Sequence, residues 1–189
     1  MTSILAFLQQ HLPEGNFLKE LPFVTTRKEF NKGDILTRYH QVEKYGYFLV
    51  KGITKISMIR DGEERILDFF FPGEFFSAYT SFLSQKTSDV EIVALSAIEV
   101  ECIYVHDLQQ AYHHSLQANQ FGRIVTEMSY IRKTKREKDF LTLSATERYL
   151  QLMKERPQLI HDIPVHMLAK YLGIHAESLS RIRREIGLS

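Results

Sequence analysis

A hydroxyl-rich segment in the first half of the chain has the residue types of an anion-binding loop. Residues 72–92 read PGEFFSAYTSFLSQKTSDVEI, in which Gly73 is followed by small and hydroxyl side chains. Such a segment can bring several backbone N–H groups close to a phosphate. Its charge opposes that chemistry, because Lys86 is its only cation and it ends on Asp89 and Glu91. The segment alone therefore does not decide whether a phosphate binds here.

A second segment, residues 165–184, has the pattern of a helix-turn-helix. Ala169 is small where two crossing helices approach closely, and Gly173 can adopt the positive φ of a sharp turn. Five apolar residues would form the core between the helices. They are Leu168, Leu172, Ile174, Leu179 and Ile182. A helical hairpin with a solvated charged face is the alternative, but the agreement of all these positions favours the helix-turn-helix.

The outer face of the second predicted helix, over residues 175–186, has side chains that can read DNA. Arginine binds guanine O6 and N7 with two hydrogen bonds, and a carboxylate accepts one from cytosine N4. The first residues of such a helix reach base edges in the major groove. The predicted base-reading residues are Glu177, Ser178, Arg181 and Arg184. The predicted phosphate contacts, which position the protein without specifying sequence, are Lys170, His175 and Arg183.

The segment from residue 32 to about 105 reads as short strands separated by turns. Asp61-Gly62 lies between two apolar runs and favours a tight hairpin turn. Pro72-Gly73 ends a further run, and residues 90–105 supply two strands that separate near Ser96. This spacing predicts a β-sandwich or roll. Five phenylalanines are assigned to its core rather than to an aromatic ligand box: Phe69, Phe70, Phe71, Phe75 and Phe76.

The residues after Asp107 predict one long helix over 107–138, with an N-cap at His106 or Asp107. Apolar residues recur along it with a heptad-like spacing, which predicts pairing with a second copy in a parallel dimer. The predicted dimer residues are Phe121, Ile124, Val125, Met128 and Ile131. The alternative is a helix packed only within its own chain. A helix of this length needs a partner to cover its apolar seam, so we favour the dimer.

Another helix is predicted over residues 143–160. Ser144 followed by Glu147 is a capping box, in which each side chain accepts a hydrogen bond from the other residue's backbone N–H. Pro157 is predicted to end this helix.

Length and composition are typical of a soluble globular protein without a membrane span. The chain has 189 residues, of which 44% are hydrophobic and 25% charged, and it has no long apolar run. The N-terminus has no basic region or small-residue cleavage site and predicts a short amphipathic helix rather than a signal peptide. A single cysteine, Cys102, excludes an internal disulfide. We expect a cytoplasmic protein.

The two halves of the chain differ in net charge. Residues 1–105 hold 11 basic and 14 acidic side chains, a net charge of −3, whereas residues 106–189 hold 13 and 9, a net charge of +4. A basic C-terminal part is compatible with nucleic acid binding. The predicted domains are a strand-rich domain over 1–106, a dimerisation helix over 107–138 and a helix-turn-helix DNA-binding domain over 139–189.

No motif of a known enzyme class is present. The sequence has no HExxH, no GxSxG and no P-loop. His161, His166 and His175 are interpreted as surface or capping residues and not as metal ligands. We therefore expect a protein that is not an enzyme and holds no metal.

The order of these elements resembles the Crp/Fnr family of bacterial transcription regulators. The likeness covers nearly the whole chain and rests on KGDIL (32–36), YFLVKG (47–52), DGEER (61–65), FFPGEFF (70–76) and LGIHAESLSRIRREI (172–186). It implies an α+β fold with an antiparallel β-roll of the double-stranded β-helix or jelly-roll type, similar to a cyclic-nucleotide-binding domain. It further implies a homodimer on a palindromic site in double-stranded DNA, with RNA polymerase as a partner.

The recognition helix departs from the family at one position. Members often show Ser-Arg-Glu-Thr-x3-Arg, and this chain reads His175-Ala176-Glu177-Ser178 and then Arg181. Glu177 and Arg181 match base-reading positions, but Ala176 replaces the first arginine, so the preferred half-site is expected to differ. The family's β-hairpin wing is expected to be absent or nearly so.

The same resemblance addresses the loop at residues 72–92. Members that bind cyclic AMP hold the ribose with a glutamate and the cyclic phosphate with an arginine, and an ungapped alignment from Gly73 places Ala78 and Ser88 there, with Asp89 after Ser88. Without the arginine, and with Asp89 repelling phosphate, the loop is predicted not to be a cyclic AMP site or to be a weak one. The residues of the candidate effector pocket are Gly73, Glu74, Ala78, Tyr79, Lys86, Thr87, Ser88 and Asp89.

Two questions about function stay open at this level. An unknown small-molecule effector is compatible with the sequence, although no cofactor is expected. The alternative to a DNA-binding regulator is a ligand-sensing or protein-interaction module of the same fold with little affinity for DNA.

Overall fold

The computed structural model describes residues 3–12 and 20–187. The chain divides into two compact units. The β-rich unit comprises Met1–Ile56 and Phe69–Ser129, and the helical unit comprises Ser57–Asp68 and Tyr130–Ser189. The predicted domain boundaries after residues 106 and 138 stay a prediction.

Eight strands and eight helices follow one another in the described residues. The strands are β1 Thr26–Phe30, β2 Ile35–Thr37, β3 Tyr45–Lys51, β4 Thr54–Arg60, β5 Glu63–Phe70, β6 Phe75–Phe76, β7 Glu91–Ala94 and β8 Ile98–Tyr104. The helices are α1 Ile4–His11, α2 Tyr79–Ser84, α3 Val105–His114, α4 Leu116–Thr142, α5 Ala145–Glu155, α6 Pro157–Asp162, α7 Val165–Leu172 and α8 Ala176–Glu185. Among these residues, no helix is long and apolar enough to cross a membrane.

The strands form two four-stranded sheets, in the orders β1-β8-β3-β6 and β2-β7-β4-β5. In the first sheet β8 pairs antiparallel with β1 and with β3, and Tyr47 lies opposite Cys102. Alternate side chains of a strand point to opposite faces of its sheet. Tyr47, Leu49, Val100 and Cys102 consequently share one buried cluster, with Phe76 and Ile92. The predicted α+β class and antiparallel roll are confirmed.

The other face of the first sheet is covered by helices. Phe48 of β3 and Ile103 of β8 pack there with side chains of α1, α3 and α4. Phe75 joins the two sides of this cluster, because its ring centroid lies 4.9 Å from that of Phe7 in α1 and 5.3 Å from that of Phe121 in α4. Full burial of a phenylalanine ring, as at Phe48, stabilises the fold by about 1.5–3 kcal/mol.

The single helix predicted over 107–138 is wrong in its first part. The helix α3 begins after Tyr104, not after His106 or Asp107, and ends at His114. Ser115 is extended, with φ −132° and ψ 119°. Its hydroxyl accepts a hydrogen bond from the backbone N–H of Ala118 at 3.2 Å, which is the contact of a helix N-cap. A new helix, α4, therefore starts here and continues to Thr142.

The predicted capping box at the start of α5 is confirmed. The Ser144 hydroxyl accepts from the N–H of Glu147, and the Glu147 carboxylate accepts from the N–H of Ser144. Pro157 follows the end of α5 as predicted, and it is also the first residue of α6. Proline suits that position because the first N–H of a helix has no partner within the helix.

The helix-turn-helix is formed by α7 and α8 in the helical unit. Gly173 has φ +71°, and the N–H of Ile174 donates to the carbonyl of Ala169 at 3.0 Å, which ends α7 with a left-handed turn. The residues predicted for its core are buried except Ile174, which is half-buried. The buried ones are Leu168, Leu172, Leu179 and Ile182.

Glycine is required at position 52, in the turn between β3 and β4. Gly52 has φ +88°, and an added Cβ would lie 2.4 Å from the carbonyl oxygen of Ala97. We expect Gly52→Ala to lower the free energy of unfolding by about 3 kcal/mol or more, from left-handed strain together with overpacking. Urea denaturation measures this loss.

The matched control is Gly33→Ala, since Gly33 has φ +92° and an added Cβ would have no neighbour within 4 Å. It should cost only the backbone strain, about 1–2 kcal/mol. Equal losses in the two variants would contradict the steric argument.

Candidate functional site

Three predicted base-reading residues lie on one exposed face of α8. Leu179 and Ile182 are buried and fix the inner face of this helix. With about 100° of rotation per residue, Glu177, Arg181 and Arg184 fall within about 60° of one another on the opposite side. All three side chains are exposed. The arrangement can present two guanidinium groups and one carboxylate to the edges of bases.

The other predicted residues of α8 lie away from this face. Ser178 is half-buried on its flank, and His175 is exposed at the N-cap, where its side chain makes no capping hydrogen bond. Arg183 is half-buried and lies on the side of Tyr149. Burial raises the pKa of the Tyr149 hydroxyl, and the charge of Arg183 opposes that shift.

Lys170, a predicted phosphate contact, has a carboxylate partner. Its Nζ lies 3.0 Å from an Oε of Glu64, in the β4–β5 hairpin of the helical unit. The side chain of Lys170 is 43% exposed, and a pair this accessible contributes about 0–1 kcal/mol. Lys170 can therefore exchange this partner for a phosphate at little cost. Sequence reasoning missed Glu64 as a partner of Lys170, because the two residues are 106 positions apart.

Residues 85–88, which lie within the segment 72–92 and are called the loop at 85–88 below, are tied to residues 40–43. The N–H of Ser88 donates to the carbonyl of Gln41, and the N–H of His40 donates to the carbonyl of Ser88, both at 2.8 Å. Val42 and Thr87 form a further antiparallel bridge. The backbone donor of Ser88, at the position of the family's arginine, is thus occupied within the protein.

The structure distributes the eight candidate pocket residues over several places. Ala78 and Ser88 are buried, whereas Lys86, Thr87 and Asp89 are exposed. The remaining three belong to other contacts. Gly73 and Glu74 form a turn bonded to Leu49, and the hydroxyl of Tyr79 lies 2.7 Å from that of Thr126 in α4. Their assignment to an effector pocket stays a prediction.

The sequence reasoning missed a buried carboxylate beside this loop. Glu43 is 3% exposed, and its carboxylate accepts hydrogen bonds from the N–H groups of Lys44 and Tyr45 at 2.8 and 2.9 Å. The hydroxyls of Thr37 and Tyr47 also donate to it. Burial raises the pKa of Glu43 above its ordinary value, and these hydrogen bonds oppose the shift.

The backbone of Glu43 connects the same site to α2. Its N–H donates to the hydroxyl of Ser81 at 2.9 Å, and the side-chain amide of Gln85 donates to its carbonyl at 3.2 Å. The Ser81 hydroxyl in turn donates to the carbonyl of Lys86. One acidic residue thereby holds β2, β3 and α2 together. Nothing in the local sequence distinguishes Glu43 from a surface glutamate, so only the tertiary structure identifies it.

The predicted dimer residues separate into two groups along α4. Phe121 is 2% exposed and packs on Phe23 and Phe75, so it is a core residue of its own chain, which corrects its assignment to a dimer seam. Ile124 and Val125 are half-buried against the same cluster.

The second group is exposed. Met128 and Ile131 are 48% and 67% exposed, and residues three apart lie on one side of a helix. Tyr130 and Leu141 are also exposed, but they lie on another side of α4. Large apolar side chains exposed side by side, as Met128 and Ile131 are, are typical of a surface that another protein covers.

Comparison with known proteins identifies the fold. Residues 27–115 match the family model of the cyclic nucleotide-binding domain. FixK2 from Bradyrhizobium japonicum is similar to this chain, with 19% identity and a TM-score of 0.72. The match covers 86% of this chain and 84% of the FixK2 chain. The c-di-GMP responsive regulator CLP from Xanthomonas campestris is similar over 86% of both chains, with 20% identity and a TM-score of 0.67.

A transcriptional regulator of the CRP/FNR family from Thermus thermophilus is also similar, over 85% of both chains, with 14% identity and a TM-score of 0.65. This chain has the Crp/Fnr fold. The resemblance predicted from the sequence is confirmed at that level. No curated protein matches the chain in sequence.

Within the Crp/Fnr fold, Glu43 predicts a pH dependence of stability. The pKa of Glu43 is raised from 4.5 by burial, so ionising it costs the folded protein more than the unfolded chain. The free energy of unfolding of wild type minus that of Glu43→Gln should be greatest at pH values below the unfolded-state pKa of Glu43. This difference should fall as the pH rises through the folded-state pKa of Glu43 and then stay constant. Urea denaturation of both proteins from pH 4 upward measures it.

Glutamine suits this test because its carbonyl can accept from Lys44 and Tyr45 while its amide donates to the Thr37 hydroxyl. Glu20→Gln, at an exposed carboxylate, gives the effect of removing one surface charge. A difference between wild type and Glu43→Gln that does not change with pH would show that burial does not govern this carboxyl.

Proposed function

We propose that the protein is a homodimeric DNA-binding regulator of transcription. The observation that carries the proposal is the exposed face of α8, on which Glu177, Arg181 and Arg184 lie together above a buried helix-turn-helix core. The helix would lie in the major groove, where these side chains reach base edges. Similarity to proteins named as transcription regulators supports this assignment.

Different residues read the bases and position the protein on the DNA backbone. Arg181 and Arg184 bind guanine, and Glu177 accepts from cytosine N4. Ser178 contributes from the flank of the helix. Lys170, His175 and Arg183 contact phosphates, and Lys170 leaves Glu64 to do so.

Dimerisation uses the exposed part of α4, centred on Met128 and Ile131. A two-fold symmetric pair places its recognition helices on half-sites about 34 Å apart, so the target is a palindrome. The protein acts in the cytoplasm and works with RNA polymerase.

Control by cyclic AMP through the loop at 85–88 is not part of the proposal. The loop supplies no arginine, the N–H of Ser88 is bonded to Gln41, and the buried carboxylate of Glu43 disfavours a second anion nearby. An effector, if one exists, has other chemistry, and no cofactor is required.

Substitution of Arg181 tests base reading. A preferred site is first selected from random double-stranded DNA, and fluorescence anisotropy then measures affinity over a range of salt concentrations. Arg181→Ala should weaken binding to this site by about 1–3 kcal/mol and relax one base preference, while leaving the salt dependence nearly unchanged. Lys170→Ala should weaken binding to all sequences and lower the salt slope by about 1.

Arg123→Ala is the control, since Arg123 is an exposed arginine of α4 in the β-rich unit. Unchanged specific binding in Arg181→Ala would refute its role in base reading. Weak wild-type binding that barely responds to salt would favour a ligand-sensing or protein-interaction module instead.

Substitution of Ile131 tests the dimer. A charge at a side chain that is 67% exposed leaves the monomer folded but cannot be buried between two helices without a large desolvation cost. We expect Ile131→Glu to sediment as a monomer where wild type sediments as a dimer. Leu83→Glu, at a side chain 60% exposed on α2, should remain dimeric. A dimer in both variants would place the interface elsewhere.

A further inference from the structure

A cleft in the helical unit is lined by an excess of positive charge. It encloses about 120 Å³ between the end of α4, α5 and the end of α7. Five basic side chains line it against two carboxylates. The basic residues are Arg132, Lys135, Arg136, Arg148 and Arg156, and the acidic ones are Asp139 and Glu155.

Three of the five cations have carboxylate partners. Lys135 forms an ion pair with Glu155. Arg132 and Arg156 both bind Asp68, at 2.9 and 2.8 Å. Arg136 and Arg148 line the cleft and form no ion pair with any carboxylate of the described residues.

The planes of these two guanidinium groups are covered by aromatic rings. The Cζ of Arg136 lies 4.7 Å from the ring centroid of Phe140 and 4.5 Å from that of Tyr171. The Cζ of Arg148 lies 4.5 Å from the same Phe140 ring. Stacking satisfies the faces of a guanidinium and leaves its N–H donors, which lie in the plane, to find acceptors at the edges.

Only part of this donor set has acceptors. Nη2 of Arg136 donates to the carbonyl of Tyr171 at 2.9 Å and to that of Ile66 at 3.4 Å. Arg148 donates through Nη2 to the carbonyl of Leu172 at 3.1 Å and through Nη1 to that of Leu143 at 2.6 Å. The Nε of Arg136 and the Nε of Arg148 are buried without an acceptor among the described residues. An unpaired buried donor of a charged group is costly, so an oxyanion that draws the two side chains into the cleft and accepts from them binds favourably.

We propose that this cleft binds a small oxyanion, a free phosphate or the carboxylate or phosphate group of a small metabolite, through Arg136 and Arg148. Charge-assisted hydrogen bonds from guanidinium to an oxyanion are among the strongest in proteins. The volume of the cleft lies well below the roughly 300 Å³ at which pockets for drug-sized ligands begin, so a nucleotide does not fit. The site is separate from the loop at 85–88 and from the exposed face of α8.

Titration of the full-length protein with inorganic phosphate tests the proposal. Calorimetry and thermal unfolding are followed at constant ionic strength, with chloride as the balancing anion. Wild type should bind phosphate saturably, and Arg136→Gln should weaken the affinity about tenfold or more, the loss expected for one charge-assisted hydrogen bond. Arg123→Gln, at an exposed arginine outside the cleft, should bind phosphate like wild type.

A second variant separates binding from folding. Asp139→Asn removes a carboxylate from the lining, so it should tighten phosphate binding by about threefold, as expected when a nearby like charge is removed. Damage to the fold cannot produce a gain of this kind.

Parallel titrations with succinate and AMP distinguish the sources of the oxyanion. Binding of phosphate alone assigns the site to phosphate, and binding of succinate extends it to carboxylates. No difference between phosphate and chloride would overturn the proposal and leave water as the partner of both Nε groups. Equal stabilisation of wild type and Arg136→Gln would also overturn it, since it would reflect a general salt effect. Tighter binding of AMP than of phosphate would overturn the assignment to a small ion.

Discussion

Burial of strands β3 and β8 on both faces is the constraint on which the β-rich unit depends. On one face Tyr47 and Leu49 fill the interior of the roll, and on the other Phe48 meets the helices. A one-residue slip in register would exchange these two sets of side chains, so the pairing of Tyr47 with Cys102 is strongly specified. The segment that leads into β3 carries Glu43, so the position of α2 follows from the same register.

Glu43 shows how a loop with the composition of an anion site can be complete without an anion. Its carboxylate receives four hydrogen bonds from Thr37, Lys44, Tyr45 and Tyr47, which offset only part of the cost of burying the charge, since its pKa is still raised. Its main chain is bonded to Ser81 and Gln85. Ser81, a hydroxyl residue of the segment 72–92, is needed for these contacts, which explains its presence without a phosphate.

Local signals in the sequence were sufficient for the helix-turn-helix and insufficient for the surroundings of the loop. Gly173, the capping box at Ser144 and the alternation of the strands act over a few residues, and the structure follows them. The break at Ser115 was also a local signal. The prediction missed its capping hydroxyl because it followed the apolar periodicity on both sides of Ser115. The pairs Glu64–Lys170 and Asp68–Arg132, and the burial of Glu43, join residues distant in sequence. A single sequence does not encode such partners in any readable pattern.

The division of α4 also has a consequence for the order of events during assembly. Because Phe121 anchors the first part of this helix within its own chain, the core of the β-rich unit is complete without a second subunit. Folding of this unit is then a first-order process, whereas the proposed association through Met128 and Ile131 would be second-order. Dilution would separate subunits joined in the proposed way while each of them kept its fold, and the concentration of the protein would set how many are paired.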